Sequence, residues 1–382
     1  MKAADPAVAG VAEVAGPPVL ERARRYVEQE TPSGAGARIA QLALIIEEEL
    51  IACGATVERL DAGSYGRNVL ARVPGREESL PPLLVLAHID TVHPVGTLAQ
   101  RPFRVDDGRA YGPGIYDMKT GLAVVVEALT RLHDAGRGPR RPVHLLITCD
   151  EEIGSHSAHD LILEQARAAA AVLVPEPCMP DGGVKTFRKG VATYSIRANG
   201  RAAHAGIEGA TAVSAISELV YALADALRLA NHERGTTINI GTITGGTASN
   251  VVAAQALAQV DVRLAEPAEG ERVHGALLAL RARHPDAAVR VERTESRPPL
   301  VRSDAVVALY RKAREVAASL GVDLMEGGTG GGSDGSIAAS TGVATLDGLG
   351  PRGGGAHAED EHIIIDDLPF RLAFMTALLE AL

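Results

Sequence analysis

The chain has 382 residues, of which 46% are apolar and 23% are charged, and its formal net charge at pH 7 is −10. This length is typical of two domains, and the negative charge argues against nucleic acid as a partner, because phosphates attract a basic surface. The three cysteines lie at irregular positions and predict no disulfide framework. No apolar run reaches the roughly 18 residues of a membrane span. No basic start precedes an apolar core, so we expect no signal peptide and a cytoplasmic protein.

The first half of the chain alternates helices with apolar strands. Segments with apolar residues at helical spacing lie at 19–30, 36–53 and 120–136. Runs typical of buried strands lie at 68–73, 82–88, 143–150 and 170–177. This alternation predicts an α/β fold, in which helices cover both faces of a sheet.

The pattern changes near residue 190. Half-exposed strands and amphipathic helices follow in the order β-α-β-β-α-β, which is the ferredoxin-like order. Near residue 296 the α/β pattern returns. We therefore predict a larger domain formed by 1–189 and 297–382, with a small α+β domain, 190–296, inserted into it.

Acidic and imidazole side chains lie at five places where predicted elements end, and open α/β sheets form their sites at the carboxyl ends of strands. His88 and Asp90 end the strand 82–88, and residues two apart on a strand face the same side. The other four places hold Asp117, the acids Asp150, Glu151 and Glu152, then Glu176 between two prolines, and His357 after three glycines. Taken alone, each of the five places has an ordinary interpretation, as a core histidine, as a charge favoured by a helix dipole or as a residue of a solvated loop. Together, two histidines and several carboxylates without cysteine indicate a site for a pair of divalent cations.

The ordered motifs H-x-D, G-x-x-D-M-K, D-E-E-x-G-S, E-P and G-x-H resemble the M20 family of metallopeptidases over about residues 20–382, with the glutamate carboxypeptidase type most similar. The resemblance implies a zinc-exopeptidase-like catalytic domain with a mixed sheet, and a dimerisation domain at 190–296. It implies two divalent ions, Zn²⁺ by preference, which Co²⁺ or Mn²⁺ can replace. The implied ligands are His88 and Glu176 for one ion, Glu152 and His357 for the other, and Asp117 between the two.

The resemblance also implies roles around the metals. Glu151 would be the general base, and Asp90 would orient a ligand, as carboxylates commonly do behind metal-bound histidines. A cis peptide bond is expected between Asp117 and Met118. In the inserted domain, His204 would stabilise the oxyanion across a dimer interface. The residues expected to contact substrate are Asn250, Arg263, Gly330 and Gly331.

Ordinary alternatives remain for two of these residues. His204 has the alternative of an exposed loop histidine, and Arg263 that of a strand-surface charge. For Arg263 there is also a chemical argument. In an acidic protein whose metals are committed to the reaction, a free substrate carboxylate needs a cation of its own, and a guanidinium binds it with two hydrogen bonds.

We therefore expect a two-metal hydrolase that cleaves the amide bond next to a C-terminal free amino acid, of the glutamate carboxypeptidase type, acting on N-acyl, peptidyl or folyl amino acids. Glu rather than Asp at 176 resembles carboxypeptidases and deacylases more than di- and tripeptidases. The alternatives are a biosynthetic deacylase of the acetylornithine or succinyl-diaminopimelate type, and a non-catalytic binding protein of the same fold. The expected partners are a small-molecule carboxylate substrate and a second copy of the chain, with neither nucleic acid nor membrane.

Overall fold

The structure is a computed structural model that describes residues 18–207 and 211–382. The chain divides into two compact units. The first contains the chain up to Phe187 together with Arg302–Gly328 and Ser333–Leu382, and the second contains Arg188–Val301 with Thr329–Gly332. The segment 190–296, predicted as an insertion, lies within the second unit. Over the described ranges, no helix has both the length and the apolar character needed to cross a membrane.

A six-stranded mixed sheet forms the centre of the first unit. Its strands are, in spatial order, Thr56–Asp61, Arg67–Val73, Val143–Thr148, Leu83–His88, Ala171–Leu173 and Thr345–Leu346. The last four run parallel to one another, and the first two add antiparallel pairs. The mixed sheet predicted from the sequence is therefore confirmed. Its first strand was missed, because three of its six residues are charged and its side chains are largely exposed.

Helices cover both faces of this sheet, as predicted. Successive residues of a strand point to opposite faces, and the central strand Leu83–His88 divides its side chains between two cores. Val85 and Ala87 belong to a core with the helices 18–27, Gly36–Ala52, Thr120–Asp134, Asp304–Ser319 and Leu368–Ala381. Leu84 and Leu86 belong to a second core with the helices His159–Ala168 and Asp334–Ala339. The strand is buried along its whole length because both faces are covered.

Several short elements were not predicted, because two to five residues carry too little periodicity. Beside the six-stranded sheet there is a small sheet, whose four strands are, in spatial order, Gly353–Gly354, His362–Ile364, Arg109–Tyr111 and Arg104–Asp106. A two-stranded ribbon pairs Glu326–Thr329 with Val184–Arg188, and a single helical turn spans Thr97–Gln100. The small sheet matters for the site because it joins the chain just before Asp117 to the chain just after His357.

The second unit has an antiparallel four-stranded sheet. Its strands are, in spatial order, Thr237–Gly245, Gln255–Leu264, Gly190–Asn199 and Ala288–Arg297. The helices Ala215–Leu227 and Pro267–Leu278 pack on one face over an apolar core. With its chain order of β-α-β-β-α-β, the unit has the ferredoxin-like arrangement that the sequence predicted. A further two-residue pairing joins Ala203–His204 to Val251–Val252.

The chain enters and leaves the second unit at adjacent positions. The backbone N–H of Arg188 donates to the carbonyl of Leu300 at 3.0 Å, and the N–H of Leu300 donates back to the carbonyl of Arg188 at 3.1 Å. The first and last segments of the unit are therefore hydrogen-bonded neighbours.

One glycine in the first unit tests how closely its helices approach the sheet. Gly121 lies in the first turn of the helix Thr120–Asp134, and a Cβ there would lie 1.8 Å from the carbonyl oxygen of Pro175. We expect Gly121→Ala to lower the free energy of unfolding by about 1–3 kcal/mol or more through overpacking. Gly275→Ala, inside the helix Pro267–Leu278 where a Cβ meets nothing within 4 Å, should instead stabilise by about 0.5–1 kcal/mol. Urea unfolding of both variants measures this, and equal stability of the two would contradict the close approach at Gly121.

Candidate metal centre

The first set of donors surrounds His88, which ends the central strand Leu83–His88. Its Nε2 atom lies 3.2 Å from Oδ1 of Asp117 and 3.5 Å from Oε1 of Glu176. Its Nδ1 atom lies 3.0 Å from the backbone carbonyl of Asp90. An Nδ1–H group that donates to this carbonyl orients the ring so that Nε2 faces the two carboxylates. His88 and Glu176 are both buried.

The second set of donors surrounds His357, from the loop near the C-terminus. Its Nε2 atom lies 3.3 Å from Oδ2 of Asp117 and 3.1 Å from Oε2 of Glu152. The backbone of His357 adopts φ 65°, a left-handed conformation that directs its half-exposed side chain to these acids. Single donor atoms of His88, Asp117 and Glu152 also lie within 4.8 Å of one another. The two sets are therefore adjacent, and Asp117 belongs to both.

The carboxylate of Glu361, which belongs to neither set of donors, holds the loop that carries Asp117. Glu361 accepts hydrogen bonds from the backbone N–H groups of Gly114 (2.8 Å), Tyr116 (2.9 Å) and Asp117 (3.1 Å), and it lies 2.7 Å from Nε2 of His93. The peptide bond after Asp117 is cis, as predicted. Our sequence reasoning missed Glu361. In the sequence it is the third acid of the run Glu359–Glu361, and no local pattern distinguishes it from the other two.

Asp90 organises the turn that carries the twin glutamates. Its carboxylate accepts the N–H of Glu151 at 3.0 Å and the N–H of Glu152 at 3.2 Å, and the hydroxyl of Ser33 donates to it at 2.6 Å. The backbone at the two glutamates is turned rather than extended. They begin a 3₁₀ turn, Glu151–Ile153, whose N–H groups Asp90 caps. Successive side chains in such a turn diverge by about a third of a revolution, so the twin glutamates still point in different directions.

The site strongly favours positive charge. Burial alone would lower the pKa of His88, but the hydrogen bonds with Asp117, Asp90 and Glu176 outweigh it and hold this pKa well above its usual value. Hydrogen bonds with Asp117 and Glu152 raise the pKa of His357 to about 10. For Asp117, burial opposes ionisation, yet its contacts with both imidazoles lower its pKa. Protons on the imidazoles thus compensate the clustered carboxylates.

These residues fit a pair of divalent ions. The donors are imidazole nitrogens and carboxylate oxygens, which suit zinc, manganese and cobalt. Ions in both positions would replace the imidazolium protons as the balancing positive charge, and the carboxylate of Asp117 presents one oxygen to each set. His362, the first residue of the strand His362–Ile364, instead lies beside Tyr111, with ring centres 5.4 Å apart and the ring planes tilted by 38°.

The predicted substrate residues lie in the second unit. Arg263 donates from Nε and Nη2 to the carboxylate of Asp261 (2.8 and 2.9 Å) and from Nη1 to the carbonyl of Gly330 (3.1 Å). Two predicted residues, Arg263 and Gly330, are therefore in contact. The carbonyl of the neighbouring Gly331 accepts from Nη1 of Arg188 at 3.3 Å. The pairing with Asp261 was not predicted.

His204 and Asn250 lie at the exposed two-stranded pairing of the second unit, between segments far apart in sequence. His204 is in the short strand Ala203–His204, and the carbonyl of Asn250 accepts the N–H of Ala205 at 3.0 Å. Both residues are exposed. The backbone thus places the two residues side by side.

Known proteins resemble this chain in sequence and in fold. The sequence model of Peptidase family M20/M25/M40 matches residues 84–381. Carboxypeptidase G2 of Pseudomonas sp. (strain RS-16) is 32% identical over 366 residues, which cover 93% of this chain and 87% of that protein. Succinyl-diaminopimelate desuccinylase of Alkalilimnicola ehrlichii is 30% identical over 367 residues, covering 91% of this chain and 92% of that protein.

Among solved structures, an aminopeptidase of Bacillus cereus, PepT, superposes with a TM-score of 0.78 over 96% of this chain and 98% of that one. At 22% identity this is a similarity of fold. The family match and the two relatives extend over most of the chain, and the family typically works with two metal ions. The chain therefore belongs to Peptidase family M20/M25/M40 and is a hydrolase of the metallopeptidase kind.

Proposed function

We propose that this protein is a di-zinc carboxypeptidase that hydrolyses the amide bond next to a C-terminal free amino acid, with glutamate as the released residue. The observation that carries the proposal is the position of Asp117. Its two oxygens lie 3.2 Å from His88 and 3.3 Å from His357, and each imidazole has a further carboxylate beside it, Glu176 or Glu152. A carboxylate shared between two N/O donor sets is what a two-metal site requires.

In this proposal, His88 and Glu176 would hold one ion, Glu152 and His357 would hold the other, and Asp117 would be shared by both. Bound there, the ions would lower the pKa of a water molecule and polarise the scissile carbonyl. Glu151 accepts the proton of that water and delivers it to the leaving nitrogen, so that amide and water become a carboxylic acid and a free amino acid. Asp90 fixes the turn that carries these two glutamates, because its carboxylate accepts the N–H groups of both.

The proposed anchor for the substrate carboxylate is Arg263. Three of its five N–H groups are used by Asp261 and Gly330. These contacts hold the guanidinium in one orientation and leave it two N–H groups for a substrate. Asn250, Gly330 and Gly331 are the further residues proposed to contact substrate. The contact between Arg263 and the carbonyl of Gly330 supports a common site for these two residues.

A deacylase of the succinyl-diaminopimelate type remains the second candidate, because a relative of that name is 30% identical over nearly the whole chain. A substrate panel with added Zn²⁺ distinguishes the two. Release of glutamate from N-acyl, peptidyl and folyl glutamates supports the carboxypeptidase, and preferential cleavage of succinyl-diaminopimelate or acetylornithine supports the deacylase. No turnover of any member, by a chain that binds two metal ions, would contradict both.

We further propose that the protein is a homodimer formed through the second unit. The strand Thr237–Gly245 lies at the edge of its sheet and is largely exposed. The adjoining helix Ala215–Leu227 presents four exposed apolar side chains, Ile216, Val220, Tyr221 and Leu227. An exposed edge strand beside an apolar helix face is a surface that proteins rarely leave uncovered. Pairing of two such edges would give a symmetric dimer, in which His204 would stabilise the oxyanion of the partner's site.

The first test separates the twin glutamates. Glu151→Gln should keep both metal ions and lose at least about 10²–10⁴-fold in turnover, because it removes the proton acceptor. Glu152→Ala should lose metal as well as activity. Metal content by elemental analysis, alongside turnover of an N-acyl glutamate, measures both effects. Full metal occupancy in Glu152→Ala, or near-normal kcat in Glu151→Gln, would refute the assignment.

The second test asks whether His204 acts on a partner's site. His204→Ala and Glu151→Gln homodimers should each be nearly inactive. After subunit exchange, half of the dimers are mixed and one of the two sites in each is intact, so about a quarter of wild-type activity should return. Light scattering and tagged subunits verify assembly and exchange. Complete exchange without recovered activity would show that His204 does not work across the interface.

The third test concerns the carboxylate anchor. Arg263→Ala should raise KM and lower kcat/KM on the order of 10²-fold. Arg263→Lys should recover only part of the lost kcat/KM, because an ammonium group lacks the planar fork of a guanidinium. Arg290→Ala, an exposed arginine of the same sheet, is the matched control and should behave as wild type. Wild type should discriminate strongly against a substrate with an amidated carboxylate. If Arg263→Ala keeps that preference, another residue is the anchor.

A further inference from the structure

Glu361 is a buried carboxylate with no ligand role in the proposed mechanism. It accepts three backbone N–H groups, those of Gly114, Tyr116 and Asp117, and it pairs with Nε2 of His93 at 2.7 Å. Only 3% of its surface is exposed. Each carboxylate oxygen therefore receives two donors, and three of the four donors come from the loop that ends in the shared Asp117.

The small sheet explains how Glu361 reaches this loop. The strand His362–Ile364 pairs antiparallel with Arg109–Tyr111. The residue before one strand therefore lies beside the residues after the other, and the carbonyl of Glu361 accepts the N–H of Gly112 at 3.4 Å. Glu361 is also only four residues from His357 along the chain. It thus connects the loop that presents His357 to the loop that presents Asp117.

The chemistry at this position requires a carboxylate. Converging backbone N–H groups form a concave site for an anion. A glutamine side chain has the same shape, but its amide nitrogen would face one or more of these donors without accepting from them. The Gly114–Asp117 loop would then lose part of what fixes it. Since the two oxygens of Asp117 are 3.2 and 3.3 Å from the two imidazoles, a small rotation of this loop would spoil one or both contacts.

We propose that Glu361 is a positioning residue, which fixes the Asp117 carboxylate relative to His357 and thereby sets the affinity of the protein for its metal pair. This inference rests on the proposed metal centre. Residues that orient metal ligands typically change metal affinity by about 10–100-fold when they are replaced. The effect is exerted through the backbone of Asp117, so Glu361 itself touches neither metal nor substrate.

The test measures metal affinity rather than turnover. Wild type, Glu361→Gln and Glu361→Asp are stripped of metal, and Zn²⁺ is then partitioned between each protein and a chromophoric chelator. Glu359→Gln is the matched control, because it removes the same charge from an exposed side chain of the same loop. We expect Glu361→Gln to bind Zn²⁺ about 10–100-fold more weakly. Glu361→Asp keeps the charge but has a shorter side chain. Its affinity for Zn²⁺ should lie between those of Glu361→Gln and wild type. Glu359→Gln should match wild type.

Circular dichroism and thermal melting of the metal-free proteins separate positioning from folding. If Glu361→Gln does not fold, His93→Ala provides the test, because it removes one of the four donors and leaves the carboxylate. It should weaken Zn²⁺ binding several-fold. A lower Tm with unchanged Zn²⁺ affinity, in either variant, would overturn the inference while leaving the metal centre in place. Equal weakening by Glu359→Gln would reduce the effect to charge alone and would also overturn it. A wild-type chain that binds no Zn²⁺ would overturn the proposed function and this inference together.

Discussion

The first unit must hold one carboxylate in contact with two imidazoles, and its other features serve this arrangement. Asp117 lies beside His88 through one oxygen and beside His357 through the other, although the two histidines are 269 residues apart in sequence. The sheet order provides the part of this arrangement that surrounds His88. The parallel strands Val143–Thr148, Leu83–His88 and Ala171–Leu173 are neighbours, so their carboxyl ends meet at one edge. One strand ends in His88 itself, and the twin glutamates and Glu176 follow the other two. Each apolar strand thereby places a polar side chain in one cluster.

The parts of this arrangement that could be predicted are those with a repeated local signal. The strand at 83–88 is buried on both faces, so its apolar run is continuous and its end is clear. His88 follows directly from that end. The ferredoxin-like order of the second unit was also predictable, because its strands and helices alternate over many residues. Asp117 and His357 depended on the ordered set of motifs, since each one alone resembles an ordinary loop residue.

The parts that could not be predicted depend on which groups meet in space. Glu359, Asp360 and Glu361 are consecutive acids, yet only Glu361 is buried, because only its side chain meets the N–H groups of the Asp117 loop. The backbone at Glu151 is another case. Its turn is fixed by the carboxylate of Asp90, which is 61 residues away in sequence. Likewise, the hydrogen bond of Arg263 to the carbonyl of Gly330 joins residues 67 apart. Contacts at such separations leave no periodicity in the sequence.

The paired backbones of Arg188 and Leu300 have a consequence for how this architecture evolves. A segment whose two ends are hydrogen-bonded neighbours imposes no change of path on the chain that flanks it. Such a segment behaves as a cassette. It can be lengthened, shortened or replaced by another segment with adjacent termini, while the flanking chain keeps its register. Selection can therefore alter the surface that carries Arg263 and His204 separately from the sheet that carries the acids and imidazoles. Most of the second unit, 188–301, can thus be exchanged as one contiguous stretch of gene, and only Thr329–Gly332 are encoded separately.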